Sequence, residues 1–497
     1  MLHKVLIANR GEIAVRVIRA ARELGLATVA VYSECDRPAL HVRMADEAFF
    51  LGPSPSTESY LNIDKILAIA QTSRVDAVHP GYGFLSENPE LARRCASMGI
   101  GFVGPGTKAM EQMGDKIAAR KTATAANVPV IPGTETPVKS VQEAAEFASQ
   151  SGFPVMVKAA AGGGGKGMRL VGQLDELATA IRDARAEAQA AFGDSSIYLE
   201  KLIRQPRHIE FQILADRHGN VVHLGERECS IQRRHQKVME ESPSPFLADT
   251  LRQQMGEAAV KIARACGYEN AGTMEFLVDA QGNYYFLEMN TRLQVEHPVT
   301  EMVTGIDLVK EQFRIASGEK LGIRQEDIRW TGHALECRVY AEDPDNNFFP
   351  SPGKITHLRV PSGPGVRDES GIYEGWTVPV FYDPLLSKLV TWGRNRAEAI
   401  NRMQRALGEY QISGIKTNLA FFRSIIAHEK FSAGELATDF IDKHFLQTNG
   451  RPESPALHEV AVIAAAIHAS QGLPRPAAAV TQESAWKRDG RLDSLRR

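Results

Sequence analysis

Short apolar runs alternating with stretches of helical spacing open the chain. Residues 4–8 (Lys-Val-Leu-Ile-Ala) read as a buried strand and 9–12 as a turn. Residues 13–24 read as an amphipathic helix and 27–32 as a second strand. Such a βαβ unit requires a parallel sheet with helices on its faces, and 76–79 and 101–104 supply further strands. The strand-to-helix turn carries one glycine, Gly11, so the G-x-G-x-x-G dinucleotide pattern is excluded.

Beyond this unit the pattern shifts toward alternation. Residues 155–159 form a strand carrying Lys158, followed by the glycine run 162–165 and Lys166. A further strand covers 196–200, and 208–213 alternates strictly, placing His208, Glu210 and Gln212 on one face. The charged run 226–237 reads by itself as a solvated surface as readily as a site. Residues 273–278 and 284–290 form a hairpin about the turn 279–283. A two-residue loop at Gln281-Gly282, or a four-residue loop that pairs Asp279 with Tyr284, sets Glu275 directly opposite Glu288. A strand-rich section begins at 331, where Arg338 alternates with Glu336 and Tyr340 and, alone, reads as a surface ion-pair member. After 446 the composition changes: 457–468 suits a helix, with Val460, Ile463 and Ile467 on one stripe, and 472–479 reads as a linker.

Apolar residues make up 43% and charged residues 24% of the 497 positions, ordinary for a globular protein of about three structural units. The net charge of −2 argues against nucleic acid or a membrane surface as the main partner. An anionic ligand must therefore be drawn by local charge. Cys35, Cys95, Cys229, Cys266 and Cys337 are scattered and never form Cys-x-x-Cys, which suits a reducing compartment rather than structural zinc. No leader peptide is legible and no apolar run approaches the ~20 residues of a membrane span, so a cytoplasmic protein is expected.

The chemistry concentrates in 285–298, where Glu288, Asn290, Arg292, Gln294 and Glu296 follow an apolar lead-in. Opposed side chains in a hairpin have Cβ atoms roughly 4.5–5.5 Å apart. Glu275 and Glu288 would repel at that distance unless one is protonated or a cation bridges them. With Asn290 added by alternation, the oxygen donors suit Mg²⁺ or Mn²⁺. Four consecutive glycines carry a large ordering cost, which close backbone approach to an anion would justify. The spacing is not that of a P-loop, since Gly167 follows Lys166 where Ser or Thr would be needed.

Together these residues resemble biotin carboxylase, the ATP-grasp component of biotin-dependent carboxylases. The likeness runs from Lys4 to about residue 446 and rests on 7–14 (Ile-Ala-Asn-Arg-Gly-Glu-Ile-Ala), 79–88 (His-Pro-Gly-Tyr-Gly-Phe-Leu-Ser-Glu-Asn), the glycine loop, 288–301 and 414–418. It implies an α/β architecture: a Rossmann-like N-terminal domain over 1–112 and an ATP-grasp domain over 113–330 with a mobile glycine-loop lid at about 131–203. An α+β C-terminal domain over 331–446 and a partner-docking tail over 447–497 would follow. The implied reaction uses MgATP and bicarbonate to form carboxyphosphate, whose CO₂ carboxylates biotin on a separate carrier.

By resemblance, Lys116, Lys158 and the backbone of Gly163, Gly164 and Gly165 hold phosphates. Glu200, Lys201 and Leu202 line the adenine and ribose site, with His208, Gln232 and His235 nearby. Glu275, Glu288 and Asn290 take the metal. Arg292, Lys237, Gln294 and the Val295 amide surround bicarbonate, Glu296 is the base, and Arg338 stabilises the biotin enolate. Tyr82 and Gly83 lie near the biotin ring. The family is dimeric through the helix bearing Arg16, Arg19 and Glu23. One expected partner is a biotin carboxyl carrier protein or another biotinylated chain. The other is a carboxyltransferase subunit, which chooses among acyl-CoA, pyruvate and 2-oxoglutarate acceptors. No biotinylation sequence (Ala-Met-Lys-Met) is present, so a carrier supplied in trans is expected. Other ATP-grasp ligases would share the glycine loop and Glu275/Glu288, but not Gln294-Val-Glu296-His297 with Arg338. A non-catalytic nucleotide sensor would have lost the base, the anchor arginine or a metal position.

Overall fold

The computed structural model describes residues 2–134, 136–160 and 168–446. Met1–Lys443 form one compact unit and His444–Arg497 a second. The glycine run, the helix expected at 457–468 and the linker after it lie outside the described residues.

The first sheet is parallel, as the βαβ pattern predicts. Strands β1 (Lys4–Ile7), β2 (Ala27–Ser33), β3 (Glu47–Gly52), β4 (Ala77–His79) and β5 (Gly101–Phe102) stand in the order β3-β2-β1-β4-β5. Helix α1 (Gly11–Glu23) follows β1 through Gly11 at φ +66°. That left-handed conformation is one L side chains rarely adopt, which accounts for the glycine here. Ile13, Val17 and Ile18 of α1 pack with Val5, Ile7 and Ala77 beneath them. Among the described residues no helix is long and apolar enough to cross a membrane.

Helix α2 (Lys116–Ala125) leads to a small three-stranded antiparallel sheet with order β7-β6-β8, built from β6 (Val155–Ala159), β7 (Arg169–Val171) and β8 (Ile197–Lys201). Helices α3 (Val141–Ser151) and α4 (Leu177–Phe192) cover it, and Val155, Val157, Leu177, Ile181 and Leu199 form its own core. A core separate from the rest allows such an element to move as a body.

The main sheet has eight strands: β9 (Arg207–Ala215), β10 (Val221–Arg233), β11 (Gln236–Ser242), β12 (Asn270–Val278), β13 (Tyr284–Asn290), β14 (His333–Tyr340), β15 (Val366–Ser370) and β16 (Leu385–Gly393). Their order is β13-β12-β9-β10-β11-β14-β16-β15, every neighbouring pair antiparallel. Alternation decides its two faces. Ile209, Phe211, Ile213, Met274, Phe276 and Phe286 pack on α5 (Asp249–Ala265) through Met255, Ala259 and Ile262. His208, Glu210 and Gln212, the intervening residues of β9, occupy the opposite face.

Three expectations need correction. The run 226–233 is no solvated surface, because it lies within β10, every residue of which is buried between β9 and β11. Its charges are matched across strands and loops: Arg227 with Glu210, Arg233 with Glu342, Arg252 with Glu226. Arg338 is likewise buried, not a surface ion-pair member. The hairpin does set Glu275 opposite Glu288, but by a different route. Val278, Leu277 and Phe276 pair with Tyr284, Tyr285 and Phe286, and an irregularity at Leu287 advances the register by one. Continued unbroken, the register at the turn would set Glu275 opposite Leu287. One extra residue restores the opposition of the two carboxylates.

Phe276 is fully buried and meets Phe211 and Phe286 edge-on at ring-centroid distances of 6.1 and 6.2 Å. Phe276→Ala should destabilise the main sheet by about 3–5 kcal/mol, read as a lower urea midpoint by circular dichroism.

Candidate active site

A cleft of about 790 Å³ opens over the charged face of the main sheet. Its walls come from the turn after β1, the loop after β4, the small sheet, β9 to β14 and the loop before β16. Lys237 on β11 stands at the centre. Its Nζ donates to Glu210, to Glu275 Oε1 at 2.7 Å and to Glu296 Oε1 at 2.8 Å. These carboxylates hold the ammonium charged despite burial, far above the usual lysine range.

Glu296 lies on no cleft wall. It is completely buried just beneath, its second oxygen accepting from Arg338 at 2.8 Å. Burial works against its charge, yet Lys237, Arg338 and Arg227 hold the carboxylate well below the usual range. Arg338 also donates to Glu240 Oε1 at 2.7 Å, and Glu240 is pushed up to about 7 by burial against the Arg338 charge. Asn418 secures the strand at this point, donating to the Arg338 carbonyl at 3.0 Å and accepting from Tyr340 N at 2.9 Å.

Beneath Lys237, Arg227 and Glu210 form an ion pair with neither side chain exposed. Three further N–H groups of Arg227 donate to Gln212, Thr300 and Thr273 at 2.7, 3.0 and 3.1 Å. These bonds and the ion pair offset the cost of burying the charge.

On the hairpin, Glu275 Oε1 also accepts from Asn290 at 2.8 Å, and Glu275 Oε2 lies 2.8 Å from His208 Nε2. His208, Glu210 and Glu275 bring ligand atoms within 4.8 Å of one another, but the ammonium of Lys237 already bonds both carboxylates there. Glu288 lines the cleft with no hydrogen-bond partner among the described residues, and burial together with the Glu275 charge raises it. Two opposed carboxylates and the Asn290 amide form a hard oxygen donor set that fits Mg²⁺ or Mn²⁺. Lys116 faces this edge, its ammonium lowered by burial with Glu288 pulling the other way.

Arg292 projects into the cleft from the loop after β13. Its Nε donates to Glu87 Oε2 at 2.9 Å, and its two terminal nitrogens reach Gln294 Oε1 and Asn290 Oδ1, each at 3.0 Å. Glu87 is itself anchored by Thr291 N at 2.9 Å. At the small-sheet end, Lys158 donates to Glu200 Oε2 at 2.5 Å and Arg120 bonds the other oxygen of Glu200. Lys201, Leu202, His208, Gln232 and His235 complete that wall. At the opposite end Asn9 Nδ2 donates to the carbonyls of Pro80 and Tyr82 at 2.7 and 2.8 Å, fixing the loop that carries Tyr82 and Gly83. Arg10 pairs with Asp36 and lies 4.3 Å from the ring centre of Tyr382.

Comparison with known proteins is decisive. Residues 1–110 match the family described as "Biotin carboxylase, N-terminal domain", 115–324 "Carbamoyl-phosphate synthase L chain, ATP binding domain", and 336–443 "Biotin carboxylase C-terminal domain". Biotin carboxylase 1 of Bacillus subtilis is 53% identical over 445 residues, covering 89% of this chain and 99% of that protein. The chain belongs to the biotin carboxylase family. A pyruvate carboxylase subunit from Methanothermobacter thermautotrophicus is 55% identical over 444 residues, 89% of this chain and 90% of its own. A Campylobacter jejuni biotin carboxylase in complex with β,γ-ATP superposes with a TM-score of 0.88 at 48% identity, over 89% of this chain and 99% of that one. The biotin carboxylase domain dimer of Hydrogenobacter thermophilus 2-oxoglutarate carboxylase, with MgADP, ADP and bicarbonate, gives 0.87 at 48% identity, covering 89% and 98%.

In this member of the family the cleft gathers every sequence-predicted site residue except the buried Glu296 and Gly163, Gly164 and Gly165, which lie outside the described residues. Sequence reading missed Glu87, Arg227, Glu240 and Lys388 as members of the site, and assigned no part to Glu210. Glu87 sat inside a quoted motif, and Glu210 on the predicted polar face. Arg227 was hidden in the run that reads as surface. Lys388 had one signal, a lone charge within the apolar strand Leu385–Gly393.

Arg227→Met would leave Glu210 with Lys237 alone. It should destabilise the fold by about 3–5 kcal/mol, measured by urea unfolding, with Arg227→Met/Glu210→Gln recovering part of the loss.

Proposed function

We propose that this chain carboxylates biotin held on a carrier, driven by MgATP and bicarbonate through carboxyphosphate. One observation carries the mechanism: Glu296 is kept ionised between Lys237 and Arg338, directly beneath the pocket framed by Arg292, Gln294 and Val295. An ionised carboxylate beside the pocket is a group able to accept a proton, and the planar fork of Arg292 matches a carboxylate-like anion such as bicarbonate.

In this reading Lys116 and Lys158 neutralise nucleotide phosphates, and Glu200, Lys201 and Leu202 take the adenine and ribose end with His208, Gln232 and His235. Gly163, Gly164 and Gly165 would contribute backbone N–H groups. Mg²⁺ held by Glu275, Glu288 and Asn290 would supply charge neutralisation at the phosphates. Glu296 takes the bicarbonate proton as the bicarbonate oxygen bonds to the γ-phosphorus and the bond to ADP breaks. Phosphoryl transfer of this kind depends on positioning and electrostatics more than on covalent catalysis. Carboxyphosphate then parts into CO₂ and phosphate. The biotin N1′ proton passes to that phosphate, Arg338 stabilises the enolate beside Tyr82 and Gly83, and N1′ then bonds to the carbon of CO₂.

The domain division follows the family: 1–112, 113–330 with the lid near 131–203, and 331–446. The chain acts with biotinylated and carboxyltransferase components, since its relatives include the Methanothermobacter pyruvate carboxylase subunit and the propionyl-CoA carboxylase alpha chain of Ruegeria pomeroyi, 49% identical over 491 residues. It pairs as a homodimer through α1, as one neighbour of known structure is a domain dimer, and it works in the cytoplasm. Residues 447–497 dock a partner chain.

Glu296→Gln and Arg338→Ala should each lower biotin-dependent phosphate release from ATP, bicarbonate and free biotin by about a hundredfold or more, with the circular dichroism spectrum unchanged. Near-normal turnover in either folded variant would remove the role given to that residue. Deleting 447–497 should spare free-biotin turnover yet abolish co-purification of the partner chain from the native host; undiminished co-purification would refute the docking role.

A further inference from the structure

Val295 stands between two peptide planes, and each is held from outside the cleft. The Gln294 carbonyl shares its peptide with the Val295 N–H and accepts from His297 Nδ1 at 2.8 Å. A carbonyl can only accept, so the ring carries its proton on Nδ1. His297 Nε2 is buried with no partner among the described residues. Burial, reinforced by the charges of Lys388, Arg16 and Arg367, holds the imidazole neutral, well below its usual range. His297 is thus a one-donor ring whose donor is committed to a single backbone oxygen.

The second plane is held by Lys388. Its Nζ donates to the Val295 carbonyl at 2.8 Å, lies 3.3 Å from Glu12 Oε2, and sits 5.6 Å from the ring centre of Tyr82. Lys388 is completely buried on β16, and burying an ammonium costs several kcal/mol unless it is paired and bonded. Glu12, in the first turn of α1, supplies the pairing charge and is pushed up to about 7 by burial against Lys388.

The geometry has a direct consequence for the pocket. In a trans peptide the N–H and C=O point in opposite directions, so drawing the Gln294 carbonyl toward His297 turns the Val295 N–H away from it. Val295 lines the cleft, and its N–H has no acceptor among the described residues. The Lys388-held peptide continues into Glu296, so the same contact sets the backbone from which the base projects.

We propose that His297 and Lys388 are positioning residues that together fix the Val295 and Glu296 backbone, aiming the Val295 N–H at the anionic substrate. This rests on the bicarbonate reading above. Neither residue touches substrate; each acts through a backbone carbonyl.

The test is steady-state phosphate release by the full-length chain with free biotin, varying bicarbonate and ATP separately. Lys388→Met and His297→Leu should each raise the bicarbonate KM about tenfold, the effect of one hydrogen bond lost around a charged ligand. The ATP KM should stay within about twofold of wild type, a split that a general loss of folded protein would not produce. His297→Asn, which offers an N–H near the position of Nδ1, should recover most of the affinity. An unchanged bicarbonate KM in folded Lys388→Met or His297→Leu overturns the proposal. So does His297→Asn with a tenfold higher bicarbonate KM, which keeps the test decisive should leucine not fold. Absence of bicarbonate-dependent turnover in the wild type would instead refute the function itself.

Discussion

Everything in the cleft depends on charge balance across one face of the eight-stranded sheet. Glu210, Glu275 and Glu296 converge on Lys237, and Arg227 and Arg338 close the network from below and from the side. No member could be ionised there alone, because the desolvation cost of a buried charge exceeds what any single hydrogen bond returns. Paired, they convert a liability into rigidity. Each carboxylate is held by at least two donors or charges, so removing one cation leaves several anions exposed to one another. The network therefore explains both why Glu296 stays ionised and why Arg227, distant from any substrate, belongs to the same unit.

A sheet is the right support for this arrangement. Strand alternation gives each residue a fixed side, and the apolar side of β9 and β12 is locked on α5 by Phe211, Phe276 and Met255. The polar side inherits that rigidity. Where strict alternation would have misplaced a residue, one irregularity at Leu287 corrects it and sets Glu288 opposite Glu275. The bulge is thus a functional feature, since without it one of the two opposed carboxylates would face the apolar core.

Much of this was legible in the sequence, for identifiable reasons. The βαβ unit, the strand bearing Lys158 and the hairpin bearing Glu275 and Glu288 follow from short-range periodicity, and the extended motifs carried the resemblance to biotin carboxylase. What periodicity could not show was burial of charge. The run 226–233 looks solvated because composition carries no record of its partners: Glu210 sits on β9, and Glu342 lies far along the chain. Arg338 and Lys388 were obscured for the same reason, their counter-charges Glu240, Glu296 and Glu12 lying on other elements. The Leu287 irregularity was invisible because two different turn geometries predict the same opposed pair.

The turn 9–12 shows how such long-range terms reach the chemistry. By its sequence it reads as a connection; in the structure its last two residues, Gly11 and Glu12, already belong to α1. In the fold Asn9 fixes the Tyr82 loop, Arg10 pairs with Asp36 beside Tyr382, and Glu12 meets the ammonium of Lys388. These contacts place the first strand of the chain behind the Tyr82 end of the cleft, while the Lys158 end is built by the small sheet and α2. The small sheet, by contrast, packs on a core of its own. The wall bearing Arg292 is instead tied, through Leu293, to the core that β1 and α1 share with the main sheet.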